Sequence, residues 1–174
     1  MKKILIVVDY QNDFVIGSLG FPNAVCLEDE IAEKIVEYRK TGGEVAFTFD
    51  THEENYMSTQ EGRKLPVPHC LRGTPGWELY GKIAALRNDS DLCFEKKTFG
   101  SFQLAEYLSQ NQYDRVELVG LVSNICVLSN AVLAKAALPE AEIMVDSRCT
   151  DSADADINRQ ALNVMRGLQI TVAD

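Results

Sequence analysis

Reactive side chains recur at one kind of place in this sequence, just after a short apolar run. Asp9 closes Ile4–Val8, Asp50 and His52 follow Val45–Phe49, Lys96 follows Leu92–Phe94, and Cys126 comes soon after Val116–Val119. A carboxylate, an amine and a thiol are the parts of a nucleophilic acyl-transfer site. Gly120 to Asn124 breaks the run before Cys126, so the cysteine opens a helix. The partial positive charge and free N–H groups there would favour thiolate and hold an oxyanion. Asp9 beside such a thiol becomes a general base, and Lys96 or Lys97 would stabilise the thiolate. The residues leave open which lysine points inward. Cys26, Cys70, Cys93 and Cys149 are read as ordinary small core or surface residues.

The histidines add a second constellation. His52 and His69 are the only two in the chain, and both lie in the polar stretch from Thr51 to Gly76. Alternate residues of an extended segment share a face, so Asp50 and His52 point the same way. Two imidazoles and a carboxylate suit a divalent metal, zinc first and iron or manganese next, with open positions for water. Glu61 stands between the histidines as a possible fourth ligand. No organic cofactor is expected.

The elements that must position these groups alternate along the chain. Strands are expected at Ile4–Val8, Val45–Phe49, Leu92–Phe94, Val116–Val119, Ile143–Val145 and Leu168–Val172. Helices are expected at Glu28–Thr41, Ser101–Ser109, Asn124–Leu138 and Ala155–Arg166. Strands five and six lead to Asp146 and Asp174 and bring nothing else reactive. Six strands alternating with helices predict an α/β fold, a three-layer, doubly wound, mostly parallel sheet in one domain over residues 1–174. Its crevice lies beyond the carboxyl ends of the strands.

The ordered motifs resemble the isochorismatase-like cysteine hydrolases, the group that contains nicotinamidases. They are Val8-Asp9-Tyr10-Gln11-Asn12-Asp13-Phe14, Asp50-Thr51-His52, His69-Cys70-Leu71-Arg72-Gly73-Thr74-Pro75-Gly76-Trp77, Lys96-Lys97-Thr98-Phe99-Gly100-Ser101-Phe102 and Gly120-Leu121-Val122-Ser123-Asn124-Ile125-Cys126-Val127. The resemblance implies Asp9, Lys96 and Cys126 as the catalytic triad, which selects Lys96 over Lys97. It implies Asp50, His52 and His69 as metal ligands, with Glu61 as a further one. It also implies a cis peptide between Leu121 and Val122, an oxyanion hole from the Val122 and Cys126 N–H groups, and Phe14, Phe99 and Leu121 against the substrate. Nicotinamidases usually carry an aromatic residue three positions before the last metal histidine. Pro66 stands there, and Phe14 is left to supply the opposite wall.

The activity so implied is hydrolysis of a small carboxamide to acid and ammonia through a cysteine thioester, with nicotinamide the first substrate to try. Related small-amide (carbamoyl) hydrolysis, vinyl-ether hydrolysis of isochorismatase type, and a non-catalytic binding protein on the same fold are the alternatives. A homo-oligomer is the implied assembly. Composition agrees with a small-molecule enzyme. Lysine and arginine total 17 against 26 acidic residues, a net charge of −9, and neither nucleic acid nor an anionic membrane favours such a surface. The apolar run after Lys2-Lys3 is too short for a secretory signal or a membrane span. Five widely spaced cysteines with no CxxC pair indicate free thiols and a cytoplasmic location.

Overall fold

A computed structural model of the chain describes residues 1–173. Six strands form one sheet in the order β3-β2-β1-β4-β5-β6, and every neighbouring pair is parallel. They are β1 (Lys3–Val8), β2 (Glu44–Asp50), β3 (Leu92–Lys96), β4 (Arg115–Leu121), β5 (Glu142–Asp151) and β6 (Thr171–Ala173). The helices are α1 (Asn12–Val15), α2 (Pro22–Cys26), α3 (Glu28–Lys40), α4 (Gln60–Lys64), α5 (Gly81–Leu86), α6 (Phe102–Asn111), α7 (Leu128–Ala137) and α8 (Ala155–Gly167). This is the doubly wound α/β fold that the alternation predicts.

Central strand β1 shows why the sheet is covered on both sides. Ile4, Ile6 and Val8 enter one hydrophobic cluster with residues of α6, α7 and α8. Leu5 and Val7 enter the other, with α3 and α5. The two-residue period of a strand divides the run between the two layers, which is why it reads as continuously apolar. Helix α3 buries Ile31, Ile35 and Tyr38, with Glu28, Asp29 and Glu30 in its first turn and Arg39 and Lys40 in its last. Those charges complement the helix dipole. The chain then turns at Gly42, whose φ is 75°.

Four local expectations need correction. Residues 168–170 are the end of α8 and its turn, with Gln169 at φ 62°, so β6 begins at Thr171. Strand β5 runs on past Asp146 to Asp151, after a register shift opposite Leu118/Gly120. The helix expected from Asn124 begins as a π-helical turn, Ser123–Val127, before α7. The polar stretch holds a 3₁₀ turn at Tyr56–Ser58 and the short helix α4. Asp174 lies outside the described residues. No helix among the described residues is long and apolar enough to cross a membrane.

Parallel strands in this order place the topological switch between β1 and β4, the position where a crevice opens at the strands' carboxyl ends. Asp9 leaves one side of that switch and the Cys126 turn leaves the other. Gly120 allows the close approach: at φ +108°, an added Cβ would lie 2.1 Å from the Val8 carbonyl oxygen.

Candidate active site

The side chains that the sequence places at separate strand ends converge. Lys96 Nζ lies 2.6 Å from Asp9 Oδ2 and 3.5 Å from Cys126 Sγ. It also donates to the Thr98 carbonyl at 3.1 Å and stands 3.3 Å from Asp50 Oδ1. Lys97 has no such position; it lines a second cavity on the far side of His52. Thr48 Oγ1 donates to Asp9 Oδ1 at 2.6 Å, so both oxygens of the Asp9 carboxylate are held. Asp9 itself sits at φ 46°, a left-handed conformation that Asp tolerates better than most residues. All three triad residues are buried.

Burial decides the resting protonation of the thiol. Removal from water pushes Cys126 well above the usual thiol range. Lys96 opposes that shift and the Asp9 charge adds to it. Burial therefore opposes the thiolate that a helix start would favour. The cysteine lies inside a π-turn, not at a solvated helix terminus. Burial also raises the Asp9 carboxyl, with Lys96 pulling it back down. Burial alone would lower the Lys96 amine, but the Asp9 carboxylate first, with Asp50 behind it, carries it well above its ordinary value. The site brings together a thiol, a carboxyl group and an ammonium group that contacts both.

The second constellation is a four-donor cluster. Asp50, His52, Glu61 and His69 each offer a ligand atom, and these atoms all lie within 4.8 Å of one another. Asp50 Oδ2 is 3.2 Å from His52 Nε2 and 3.3 Å from His69 Nε2. Glu61 Oε1 is 3.7 Å from His52 Nε2 and 3.8 Å from His69 Nε2. His69 Nδ1 donates to the Val67 carbonyl at 2.8 Å, which leaves the Nε2 lone pair facing the cluster, the arrangement metal-binding histidines use. Burial alone would raise Asp50. The facing His52 and His69 rings and the Lys96 charge outweigh it and hold the carboxyl below the usual range. A buried N₂O₂ donor set with a fixed tautomer fits a divalent transition metal.

The opening motif builds this framework. Gln11 grips the backbone of Asp50: its Nε2 donates to the Asp50 carbonyl at 2.9 Å and its Oε1 accepts from the Asp50 N–H at 2.8 Å. Asp13 Oδ2 accepts from the Cys70 N–H at 2.7 Å, which fixes the chain next to His69. Phe14 meets the His69 ring edge-on, with centroids 5.6 Å apart. Across the crevice, Asn130 Nδ2 donates to the Cys126 carbonyl at 2.8 Å and its Oδ1 accepts from the Ser101 N–H at 2.9 Å. The fully buried Gln11 and nearly buried Asn130 connect separate segments through backbone contacts, which residue spacing does not reveal.

A cavity of about 310 Å³ joins the two constellations. Phe14 and Phe99 line it, as expected, together with Cys126, Val122, Asp50, Glu61 and His69. The peptide between Leu121 and Val122 is cis. The Leu121 side chain, expected against the substrate, is instead fully buried in the core beside Val119; strand alternation turns it inward and leaves Val122 at the cavity. Pro66 is exposed, and its neighbour Leu65 lines the cavity. Phe21, Asn124, Ser152 and Ile157 also line it, none of them marked by a motif position that the sequence reading assigned to the substrate.

Comparison with known proteins gives the family and the fold. Residues 3–174 match the isochorismatase domain. An uncharacterized isochorismatase family protein, PncA of Bacillus subtilis, is 33% identical over 144 residues, covering 76% of this chain and 78% of that one. The crystal structure of nicotinamidase PncA from Bacillus subtilis superimposes with a TM-score of 0.88 at 29% identity, over 100% of both chains. The structure of pyrazinamidase of Pyrococcus horikoshii in complex with zinc gives 0.87 at 26% identity, over 100% of this chain and 99% of that one.

Proposed function

Since this chain belongs to the isochorismatase family, we propose that it is a cysteine amidohydrolase of nicotinamidase type, converting a small carboxamide to its acid and ammonia. One observation carries the reading. A single buried ammonium, Lys96 Nζ, touches both a carboxylate at 2.6 Å and a thiol at 3.5 Å, and the thiol lines a cavity sized for a small ring.

The steps follow from the protonation states. Cys126 rests as a thiol, and Asp9 takes its proton as sulfur attacks the amide carbon. Lys96 holds the Asp9 carboxylate beforehand and the negative charge that develops on sulfur as Asp9 is neutralised, in a water-poor site where such contacts are strongest. The substrate oxygen, now an anion, is received by the Val122 and Cys126 N–H groups. Asp9 then returns the proton to the leaving nitrogen, and ammonia departs. Water, deprotonated by Asp9, cleaves the thioester and restores the thiol. Burial raises Asp9, which brings this base closer to the working pH and so improves proton transfer in both directions.

Asp50, His52, His69 and Glu61 would hold a divalent metal, zinc first. When bound it supplies a Lewis-acid position for a ring nitrogen or a water. Phe14, Phe21 and Phe99 provide apolar and aromatic walls for the ring. No lysine or arginine is among the described residues lining the cavity, an arrangement that does not suit the dicarboxylate of a vinyl-ether substrate.

Ammonia release from a panel of aromatic and aliphatic amides, with the Cys126→Ala variant as control, tests the reading. Release that disappears in the variant while the melting transition persists is the expected result. Unchanged release from Cys126→Ala overturns the nucleophile assignment. Sizing chromatography tests the homo-oligomer, and cell fractionation tests the cytoplasmic location.

A further inference from the structure

One polar group in the cavity has no part in the chemistry above. Asn124 lies two residues before Cys126 and lines the cavity wall, and its hydrogen bonds have a direction. Ser152 Oγ, at the end of β5, is 2.6 Å from Ser123 Oγ and 2.6 Å from Asn124 Oδ1. Ser123 is fully buried and has no other side-chain partner among the described residues. If the Asn124 amide were turned the other way, it would donate to Ser152 and Ser152 to Ser123. The Ser123 hydroxyl proton would then be buried without an acceptor, at a cost comparable to a lost hydrogen bond. The satisfied arrangement runs Ser123 to Ser152 to Asn124 Oδ1. It leaves both Nδ2 protons of Asn124 with no acceptor among the described residues.

Ser152 is itself held. Its N–H donates to Asp151 Oδ1 at 2.8 Å, and the other carboxylate oxygen of Asp151 accepts from Asn23 Nδ2. Asn23 lies in α2, two residues after the cavity residue Phe21. Asp151 pairs in register with Leu121, beside the nucleophile turn. The amide of Asn124 is thus aimed by a chain of contacts reaching from α2 through the end of β5.

We propose that Asn124 is a specificity-determining residue: its Nδ2 group donates a hydrogen bond to an acceptor atom carried by the substrate, and Ser152 positions it. The cavity is otherwise mostly apolar away from the metal cluster and the triad. A fixed donor there selects carboxamides bearing a second acceptor over plain hydrocarbon amides, because a missing acceptor leaves a desolvated N–H unpaired. The inference deepens the amidase reading and rests on it for the nature of the substrate.

Binding of pyrazinamide to the metal-loaded Cys126→Ala protein, read by calorimetry beside nicotinamide, tests it without turnover; with one ring nitrogen facing the metal cluster, pyrazinamide keeps a second as acceptor and nicotinamide does not. Adding Asn124→Asp keeps an acceptor for the Ser152 hydroxyl but presents oxygen in place of N–H. The Kd for pyrazinamide is expected to rise at least ten-fold. Ser152→Ala is expected to raise it by a smaller factor, and Ser152→Thr to restore it. An unchanged Kd in Asn124→Asp overturns the inference, as does failure of both amides to bind. If the unsubstituted enzyme releases no ammonia from any amide, the amidase reading fails, while a Kd that depends on Asn124 still upholds the donor.

Discussion

Lys96 and Asp50 meet at 3.3 Å, ammonium to Oδ1, while Oδ2 of the same carboxylate faces Nε2 of both His52 and His69. One aspartate therefore belongs to both constellations, and Gln11 fixes its backbone from two sides. Loading of the metal cluster and the charge of the nucleophile's cation are electrostatically linked through it.

Replacing Asp50 should disturb both sites. Asp50→Asn removes the charge that the two imidazoles share, and bound metal measured by elemental analysis is expected to fall. Loss of affinity should be roughly 100-fold or more, at the upper end of what removal of even an outer-sphere partner costs. Glu61→Gln, acting on a longer contact, should lose less. Equal metal content in Asp50→Asn and the unsubstituted protein would remove Asp50 from the ligand set.

Lys96→Met leaves Asp9 and Asp50 as buried carboxylates without their common cation. Breaking a buried pair in this way costs about 3–5 kcal/mol. A lower melting temperature is expected, together with at least a roughly 100-fold loss of ammonia release, the scale set by removal of one preorganised charge contact. A variant with full activity would show that the Lys96 contact is incidental to the chemistry.

A second charged cluster makes stability depend on acid. Asp146 is 1% exposed and receives Lys34 at 2.9 Å and Arg148 at 2.8 Å. Burial alone would raise its carboxyl; the contacts from Arg148 and Lys34 outweigh that and bring it down from 3.8 to about 2. A carboxyl lower in the folded state than in the unfolded one stabilises fully above the unfolded value. Its contribution is lost as pH falls from about 4 towards 2, amounting to roughly 2 kcal/mol. Denaturant melts between pH 5 and 2 should show this loss. Asp146→Asn should be less stable at pH 5 and have a flatter profile; an identical profile would refute the assignment.

Asn130 carries a prediction on positioning. Its Nδ2 donates to the carbonyls of Cys126 at 2.8 Å and Phe99 at 3.1 Å, so it ties the nucleophile turn to a cavity wall. Asn130→Ala should destabilise by about 1–3 kcal/mol, the cost of orphaned buried groups, and lower kcat more than it raises KM. A change confined to KM would assign Asn130 to substrate binding alone.

The strand-end side chains could be read from the sequence because each follows a short apolar run and parallel order brings the run ends together. Asp9, Asp50, His52 and Cys126 needed no more than that, while the choice of Lys96 over Lys97 came from the family resemblance. His69 returns on a polar loop, where the scarcity of histidine was the signal, and Glu61, in α4, was marked only by its place between the two histidines. The backbone clamps made by Gln11 and Asn130 could not be read, since they bridge segments that are remote in sequence. Leu121 was misread because its place in a motif does not say which way it points; strand alternation turns it into the core with Val119. The protonation of Cys126 could not be read at all: a residue's position in a helix does not reveal how far it is buried, and burial sets the larger effect.

The claim on which the account rests is that Cys126 sulfur carries the acyl group between two half-reactions. Rapid acid quench during nicotinamide turnover, followed by mass spectrometry of the peptide bearing Cys126, measures this directly. The predicted result is a nicotinoyl adduct on that peptide alone, which appears and decays with turnover and is absent from the Asp9→Asn variant. Full ammonia release with Cys126 unmodified at every quench time, and with undiminished turnover in Cys126→Ala, would contradict it.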